Sequence, residues 1–144
     1  MFIDSHCHLN YKGLVEDQQE VLVRARAAGV TRMLNISTRA SEWDEVVGLA
    51  ERESDVMASI GIHPHEADLH PDVHCDMLVE KAAHPRVIGI GETGLEYYYD
   101  HSDRERQRQS FRCHIAAARE TQLPLIVHTR DAEEDTIQIL GDEV

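Results

Sequence analysis

Five short apolar runs, each followed by a segment with helical periodicity, constrain the fold of this chain most strongly. The runs span residues 2–5, 31–37, 56–62, 86–90 and 124–127. We expect the strands to end near residues 6, 37, 62, 92 and 128, about every 25–36 residues, which is the spacing of a strand, a crossover helix and the next parallel strand. Two of them, 87–90 and 125–127, are apolar on both faces, which is typical of buried parallel strands. The pattern predicts an α/β chain, built as a doubly wound sheet or as a (β/α)₈ barrel.

The number of strand–helix units is smaller than a complete barrel requires. A (β/α)₈ barrel has eight strands and typically ~250 residues, whereas this chain has 144 residues. We therefore expect residues 1–144 to form one incomplete domain with about five of the eight strands of a TIM-type barrel, truncated at its C-terminus. Five strands of a barrel would leave two open sheet edges.

Two of the helical segments carry end signals. The segment from Ser102 to Glu105 matches a capping box, which predicts Ser102 as the N-cap of a long helix. In the last segment Ile137 and Leu140 are spaced to face the core, and Gly141 is expected to end that helix.

The composition argues against several classes of protein. No apolar run approaches the ~20 residues of a membrane span, and the first residues do not resemble a signal peptide. Cys7, Cys75 and Cys113 show no CxxC spacing, so we expect reduced thiols in a cytoplasmic protein. The net charge of −13 argues against a broad basic face for nucleic acid. A nuclease stays compatible with that charge if a bound metal supplies positive charge at the substrate phosphate.

The first strand ends in His6-Cys7-His8, which is the strongest candidate metal site. Because side chains alternate along a strand, His6 and His8 point to one face and Cys7 points toward the core. Two imidazoles at a strand end, shortly after Asp4, favour a divalent metal site over a polar surface.

Further candidate ligands follow later strands. Glu92 lies in the glycine-rich segment 89–94 and is able to bridge two cations through its two carboxylate oxygens. His128 follows the apolar run 124–127, where a histidine is either buried with a partner or a metal ligand. Arg130 suits a phosphate or a carboxylate. Barrel enzymes carry their catalytic residues at this end of the strands.

A histidine pair and a tyrosine run have less certain roles. Pro64 fixes the turn after the third strand and directs His63 and His65 toward the same open end of the predicted barrel. Metal ligation, phosphate contact and proton transfer all stay open for this pair. Tyr97–Tyr99 are able to stack on bases, but packing within the loop is the favoured interpretation.

Four motifs occur in order along the whole chain. They are His6-Cys7-His8, Gly61-Ile62-His63-Pro64-His65, Ile90-Gly91-Glu92-Thr93-Gly94-Leu95 and Pro124-Leu125-Ile126-Val127-His128-Thr129-Arg130. Together they resemble the TatD-type metal-dependent deoxyribonucleases, a group of the amidohydrolase superfamily. The resemblance implies a (β/α)₈ barrel with a two-metal site at the C-terminal ends of the strands.

The resemblance also implies a ligand set. His6 and His8 would bind the first metal, His128 would bind the second, and Glu92 would bridge both. One position departs from the family pattern, because Glu96 stands where the family usually has Asp.

Two further family ligands are expected outside this sequence. They are a His on the sixth strand and an Asp on the eighth, both beyond Val144. The resemblance places His63 and His65 at the substrate phosphate.

The function implied by the resemblance is 3′→5′ exonuclease activity on DNA, at single strands or 3′ ends, with two divalent metal ions. Mg²⁺ is the expected ion, and Zn²⁺ or Mn²⁺ also suits these ligands. The expected catalytic residues are Glu92, His63, His65 and Arg130. Two alternatives stay open: an amide or ester hydrolase of the same superfamily, and a catalytically incomplete fragment that still binds metal.

Overall fold

The apolar runs form one parallel sheet. The computed structural model describes residues 1–143. Its strands are β1 (Phe2–Cys7), β2 (Val30–Asn35), β3 (Val56–Ile60), β4 (Val87–Glu96) and β5 (Leu125–Arg130). They are neighbours in chain order, and every pair is parallel. A doubly wound sheet reverses its strand order at a switch point, and this sheet does not. The five strands therefore form a half-barrel, as the barrel interpretation predicts.

A helix follows each strand and packs on the sheet. The helices are α1 (Gln18–Ala27), α2 (Trp43–Arg52), α3 (Cys75–Ala82), α4 (Arg104–Thr121) and α5 (Glu133–Glu143), with short 3₁₀ turns at Val15–Asp17, Ala40–Glu42 and Pro64–Leu69. The main core joins strand residues such as Ile60 and Ile90 to Leu22, Leu49 and Leu78 of the helices, all fully buried. This core fixes the strands, and hence the positions of the polar side chains at their ends.

The fourth and fifth strands are longer than the sequence predicts. Strand β4 continues to Glu96 and β5 to Arg130, beyond the predicted ends near residues 92 and 128. Beyond the apolar part, the two strands stay paired, with Gly94 opposite His128 and Glu96 opposite Arg130. The extension places Glu92 and His128 within paired strands, and the pairing register shifts at Glu92, between Ile90 and Thr93.

The start of α4 differs from the predicted capping box. Asp103 is the N-cap, and its carboxylate accepts a hydrogen bond from the Arg106 amide at 3.1 Å. Ser102 lies one residue earlier, where its hydroxyl donates to the carbonyl oxygen of His65 at 2.9 Å and accepts from the Asp68 amide. The serine therefore fixes the loop that carries His65 rather than the helix.

The last helix presents a different face from the predicted one. Ile137 is 71% exposed, whereas Thr136 and Ile139 are buried, so the expectation that Ile137 faces the core is wrong. Leu140 packs, as expected, against a second and smaller apolar cluster. This cluster consists of Leu95, Phe111, Ile115, Ala132 and Ile139. Gly141 lies inside α5 and does not end it.

The half-barrel has two open edges. Within residues 1–143, β1 and β5 each pair with a single strand, and Phe2 and Ile3 of β1 are 66% and 69% exposed. The predicted open edges are therefore present. In this part of the chain, none of the helices combines the length and apolar character needed to cross a bilayer.

Candidate metal centre

Side chains from three strands meet around the carboxylate of Glu92. Its Oε2 lies 3.3 Å from Nε2 of His6 and 3.5 Å from Nε2 of His8, and its Oε1 lies 3.3 Å from Nδ1 of His128. Strands β1 and β4 are three positions apart in the sheet, about 14 Å if the sheet were flat. The contacts therefore require the sheet to curl, and the curl brings the four predicted ligands together.

The hydrogen bond of His8 sets its tautomer. Nδ1 lies 3.3 Å from the carbonyl oxygen of Ile36, to which only a protonated nitrogen donates. Burial lowers the pKa of His8, so the ring is neutral at pH 7 and Nε2 carries a lone pair. That lone pair faces a carboxylate oxygen of Glu92, which is a second acceptor. A cation between the two atoms would remove the repulsion between these two acceptors. A hydrogen bond from the other ring nitrogen to a backbone carbonyl is common in metal-binding histidines.

Glu92 is ionised at neutral pH. The side chain is 9% exposed, and burial alone would raise its pKa. Contact with His128 and the charges of His63 and His6 outweigh burial and lower the pKa of Glu92 to about 2. The centre therefore holds a buried negative charge among imidazoles, which is a donor set that suits divalent cations.

His63 also lies near the carboxylate, but its tautomer differs. One ligand atom each from His63, Glu92 and His128 lies within 4.8 Å of the others, as is also true of His6, His8 and Glu92. However, Nδ1 of His63 accepts a hydrogen bond from the His65 amide at 3.1 Å. Burial lowers the pKa of His63 to about 4, so the neutral ring carries its proton on Nε2. In this state His63 is a hydrogen-bond donor rather than a ligand.

Glu96 is a site residue that the motif analysis did not assign. Its side chain is 1% exposed, and Oε1 lies 3.8 Å from Nε2 of His65, 4.0 Å from Nε2 of His128 and 3.9 Å from Nε of Arg130. Both of these histidine nitrogens are buried with no hydrogen-bond partner among the described residues. Glu96 follows Glu92 by an even number of residues in one strand, and that periodicity is the signal that places both on one face.

The structure brings every predicted site residue to this end of the sheet, in two adjoining groups. His6, His8, Glu92 and His128 form the inner group. His65 and Arg130 lie around Glu96, and His63 contacts both groups through ring contacts of 4.6 Å with His65 and His128.

His114 supports this end of β3 from inside α4, and the sequence offered no sign of it. The side chain is fully buried. Nε2 accepts from the Ile62 amide at 2.9 Å, and Nδ1 donates to the Ser110 carbonyl oxygen at 2.7 Å. The ring therefore fixes the backbone directly before His63.

Replacing His114 with Leu is expected to reduce the acid sensitivity of folding. Burial lowers the pKa of His114 to about 4 from 6.5. The neutral ring therefore contributes stability above pH 6.5 that is lost as the pH falls to 4, in total about 3 kcal/mol. Urea unfolding of both proteins across that range should show a shallower decline for the variant. The variant should also be less stable at pH 7, because Ile62 loses its acceptor. If the free energy of unfolding declines equally with falling pH in both proteins, His114 is not a buried histidine with a lowered pKa.

A half-barrel of consecutive parallel strands, with imidazoles and a carboxylate at their carboxyl ends, is the arrangement of barrel-type metal-dependent hydrolases. The family model of the TatD related DNases matches residues 3–144. The chain belongs to this family.

Relatives and a solved structure agree with this assignment. The chain is 40% identical over 144 residues to the uncharacterized metal-dependent hydrolase YcfH of Escherichia coli, covering 98% of this chain and 54% of YcfH. It is 31% identical over 137 residues to the 3′-5′ ssDNA/RNA exonuclease TatD of Salmonella typhimurium, covering 95% of this chain and 53% of that protein. The crystal structure of YjjV, a TatD homolog from Escherichia coli, superposes with a TM-score of 0.82 at 28% identity, over 99% of this chain and 56% of YjjV. The chain thus spans about half the length of the relatives it matches.

Proposed function

We propose that this chain carries the main ligands of a two-metal site that hydrolyses phosphodiester bonds in DNA, as a 3′→5′ exonuclease. One observation carries the proposal: the two oxygens of Glu92 face different histidines. Oε2 faces His6 and His8, and Oε1 faces His128. A carboxylate placed in this way suits a bridge between two cations.

In this proposal each side of Glu92 would hold one ion. His6 and His8 would offer Nε2 to the first, and His128 would offer Nδ1 to the second. Bound divalent ions would polarise the phosphate and lower the pKa of the attacking water. Mg²⁺ is the proposed ion, and the imidazole nitrogens make Zn²⁺ and Mn²⁺ suitable as well.

The remaining groups orient the phosphate. His63 has its Nε2 proton available for a phosphate oxygen, since its Nδ1 is already an acceptor. Arg130, whose side chain is 47% exposed at the end of β5, supplies a permanent positive charge. His65 lies beside both, since its ring contacts that of His63 and its Nε2 is 3.8 Å from the Glu96 carboxylate that Arg130 also approaches. These three residues recognise the substrate, while the inner group holds the metals.

Nucleic acid is the proposed substrate for two reasons. A relative that matches 95% of this chain is named a 3′-5′ ssDNA/RNA exonuclease. The centre offers the Arg130 charge and the His63 proton to a phosphate, and bound divalent ions would supply the further positive charge that a chain with a net charge of −13 lacks. We propose single strands and 3′ ends of DNA as the preferred form, and the cytoplasm as the location, in keeping with three free thiols.

The test combines metal content with nucleotide release from single-stranded DNA in Mg²⁺. We expect bound metal and Mg²⁺-dependent release of mononucleotides by the wild type. His6→Ala should abolish nucleotide release and lower the number of bound ions without unfolding the chain, because His6 is partly exposed. His84→Ala is the matched control, since His84 pairs with Glu51 on the helix surface.

Three outcomes would contradict the proposal. Metal binding without cleavage of any nucleic acid would support the metal-binding fragment alternative. Cleavage of amide or ester substrates in place of DNA would support the other hydrolase alternative. Full activity of His6→Ala at saturating metal would remove His6 from the centre.

A further inference from the structure

Two exposed tyrosines stand beside the metal centre. Tyr98 and Tyr99 follow β4 and are 56% and 54% exposed. Tyr97 differs from them, since its hydroxyl donates to Asp135 at 2.6 Å and its ring packs against the smaller apolar cluster. Tyr97 is therefore packed, as the favoured interpretation expects, whereas Tyr98 and Tyr99 contact neighbouring side chains but stay more than half exposed.

The two rings form a corner. Their centroids are 4.7 Å apart and their planes are 88° apart. The guanidinium of Arg130 lies over the Tyr98 ring, 4.0 Å from its centroid, and 5.1 Å from the centroid of Tyr99. The cation holds the corner in place through cation–π contacts, and the His101 ring stacks on Tyr99 with centroids 5.4 Å apart and planes 10° apart. Both tyrosines nonetheless stay more than half exposed as residues, so part of each ring is open to solvent.

Ring contacts join this corner to the metal centre. The rings of His128 and His63 lie 4.6 Å apart, those of His63 and His65 4.6 Å, and those of His65 and Tyr99 5.9 Å. Arg130 is a second link between the tyrosine corner and the metal centre, because its Nε is 3.9 Å from the buried Glu96 carboxylate. A ligand held at the centre through a phosphate is therefore next to the open rings.

We propose that Tyr98 and Tyr99, held by Arg130, form a subsite that stacks an unpaired nucleobase of single-stranded nucleic acid. The inference rests on the proposed function and adds the part of the substrate that the metals do not contact. Aromatic faces bind bases in a sequence-tolerant way, because every base has a π-face. A base within a duplex has its faces covered by neighbouring bases, so the corner favours single strands or frayed ends. Arg130 serves both parts of one nucleotide, since its charge suits the phosphate and its plane orders the rings.

The test separates stacking from phosphate binding with two probes. Both are fluorescently labelled single DNA strands of ten nucleotides, with phosphorothioate linkages that slow hydrolysis. One consists of thymidine, and the other is wholly abasic. Binding is followed by anisotropy in Mg²⁺ for the wild type and for the double variant Tyr98→Ala/Tyr99→Ala. The double variant Tyr98→Phe/Tyr99→Phe keeps the rings, and Ile137→Ala removes an equally exposed apolar side chain from α5.

We expect the wild type to bind the thymidine strand about 10-fold more tightly than the abasic strand. The alanine variant should lose this difference while its affinity for the abasic strand stays unchanged, and the phenylalanine and Ile137→Ala variants should behave as the wild type. If the wild type binds both strands equally, or the alanine variant keeps the difference, the stacking subsite is refuted and the phosphate site stands. If the wild type binds metal but neither strand, both the proposed function and the subsite are refuted.

Discussion

Replacing Glu92 with Gln is expected to lower the affinity of the centre for Mn²⁺ by about 100-fold or more, measured by isothermal titration calorimetry. Even residues that only orient metal ligands contribute about 10–100-fold to affinity. Glu92 faces histidines with both oxygens, and the amide removes the charge and replaces one acceptor by a donor. We expect the number of ions bound to fall with the affinity, because both sides share this residue.

The control for this change is Glu51→Gln. Glu51 is also a carboxylate paired with a histidine, His84, at 2.7 Å, but it lies on the outer surface of α2. The Glu51→Gln variant should bind Mn²⁺ with the affinity of the wild type. Unchanged affinity in the Glu92 variant, with folding intact by circular dichroism, would show that the ion binds elsewhere.

Replacing Gly94 with Ala is expected to destabilise the protein by about 3 kcal/mol or more. Gly94 has a φ of 136°, where residues with a side chain are strained, and a Cβ there would overlap the backbone carbonyl of His128. The residue pairs directly with His128 between β4 and β5. Relief of the overlap would push these strands apart, so metal affinity should fall together with the urea midpoint.

Gly141→Ala provides the matched control. A Cβ at Gly141 would meet no atom within 4 Å among the described residues, and the position lies inside α5. Alanine is a better helix former than glycine, so this variant should be unchanged or up to ~1 kcal/mol more stable. Equal stability of the Gly94 and Gly141 variants would contradict the close approach of the two strands.

The fold was predictable from sequence where apolar residues mark the elements. Five runs at regular spacing gave five parallel strands. The ends of β4 and β5 were not predictable, because glycines and polar residues after Ile90 are typical of a loop. Pairing with the neighbouring strand keeps them extended, as between Glu96 and Arg130, and that pairing is a property of the assembled sheet.

The candidate site was predictable to the level of residue type and strand end. Periodicity places His6 and His8 on one face, and the structure brings them to Glu92. Protonation states were not predictable, because they depend on groups distant in sequence, such as the Ile36 carbonyl behind His8. The same holds for His114, which is buried in the middle of a helix and reaches an amide 52 residues away.

The curl of the sheet has a consequence for how the chain keeps its shape. His6 and His128 belong to the two edge strands and face different oxygens of one carboxylate, so two ions bridged by Glu92 would fasten the first strand to the last across most of the chain. An unfolded chain does not hold these groups together, and a ligand that binds only the folded form at 100 times its dissociation constant adds about 2.7 kcal/mol to stability. Binding of metal would then raise the melting temperature, and removal of the metal would lower the stability of the folded protein.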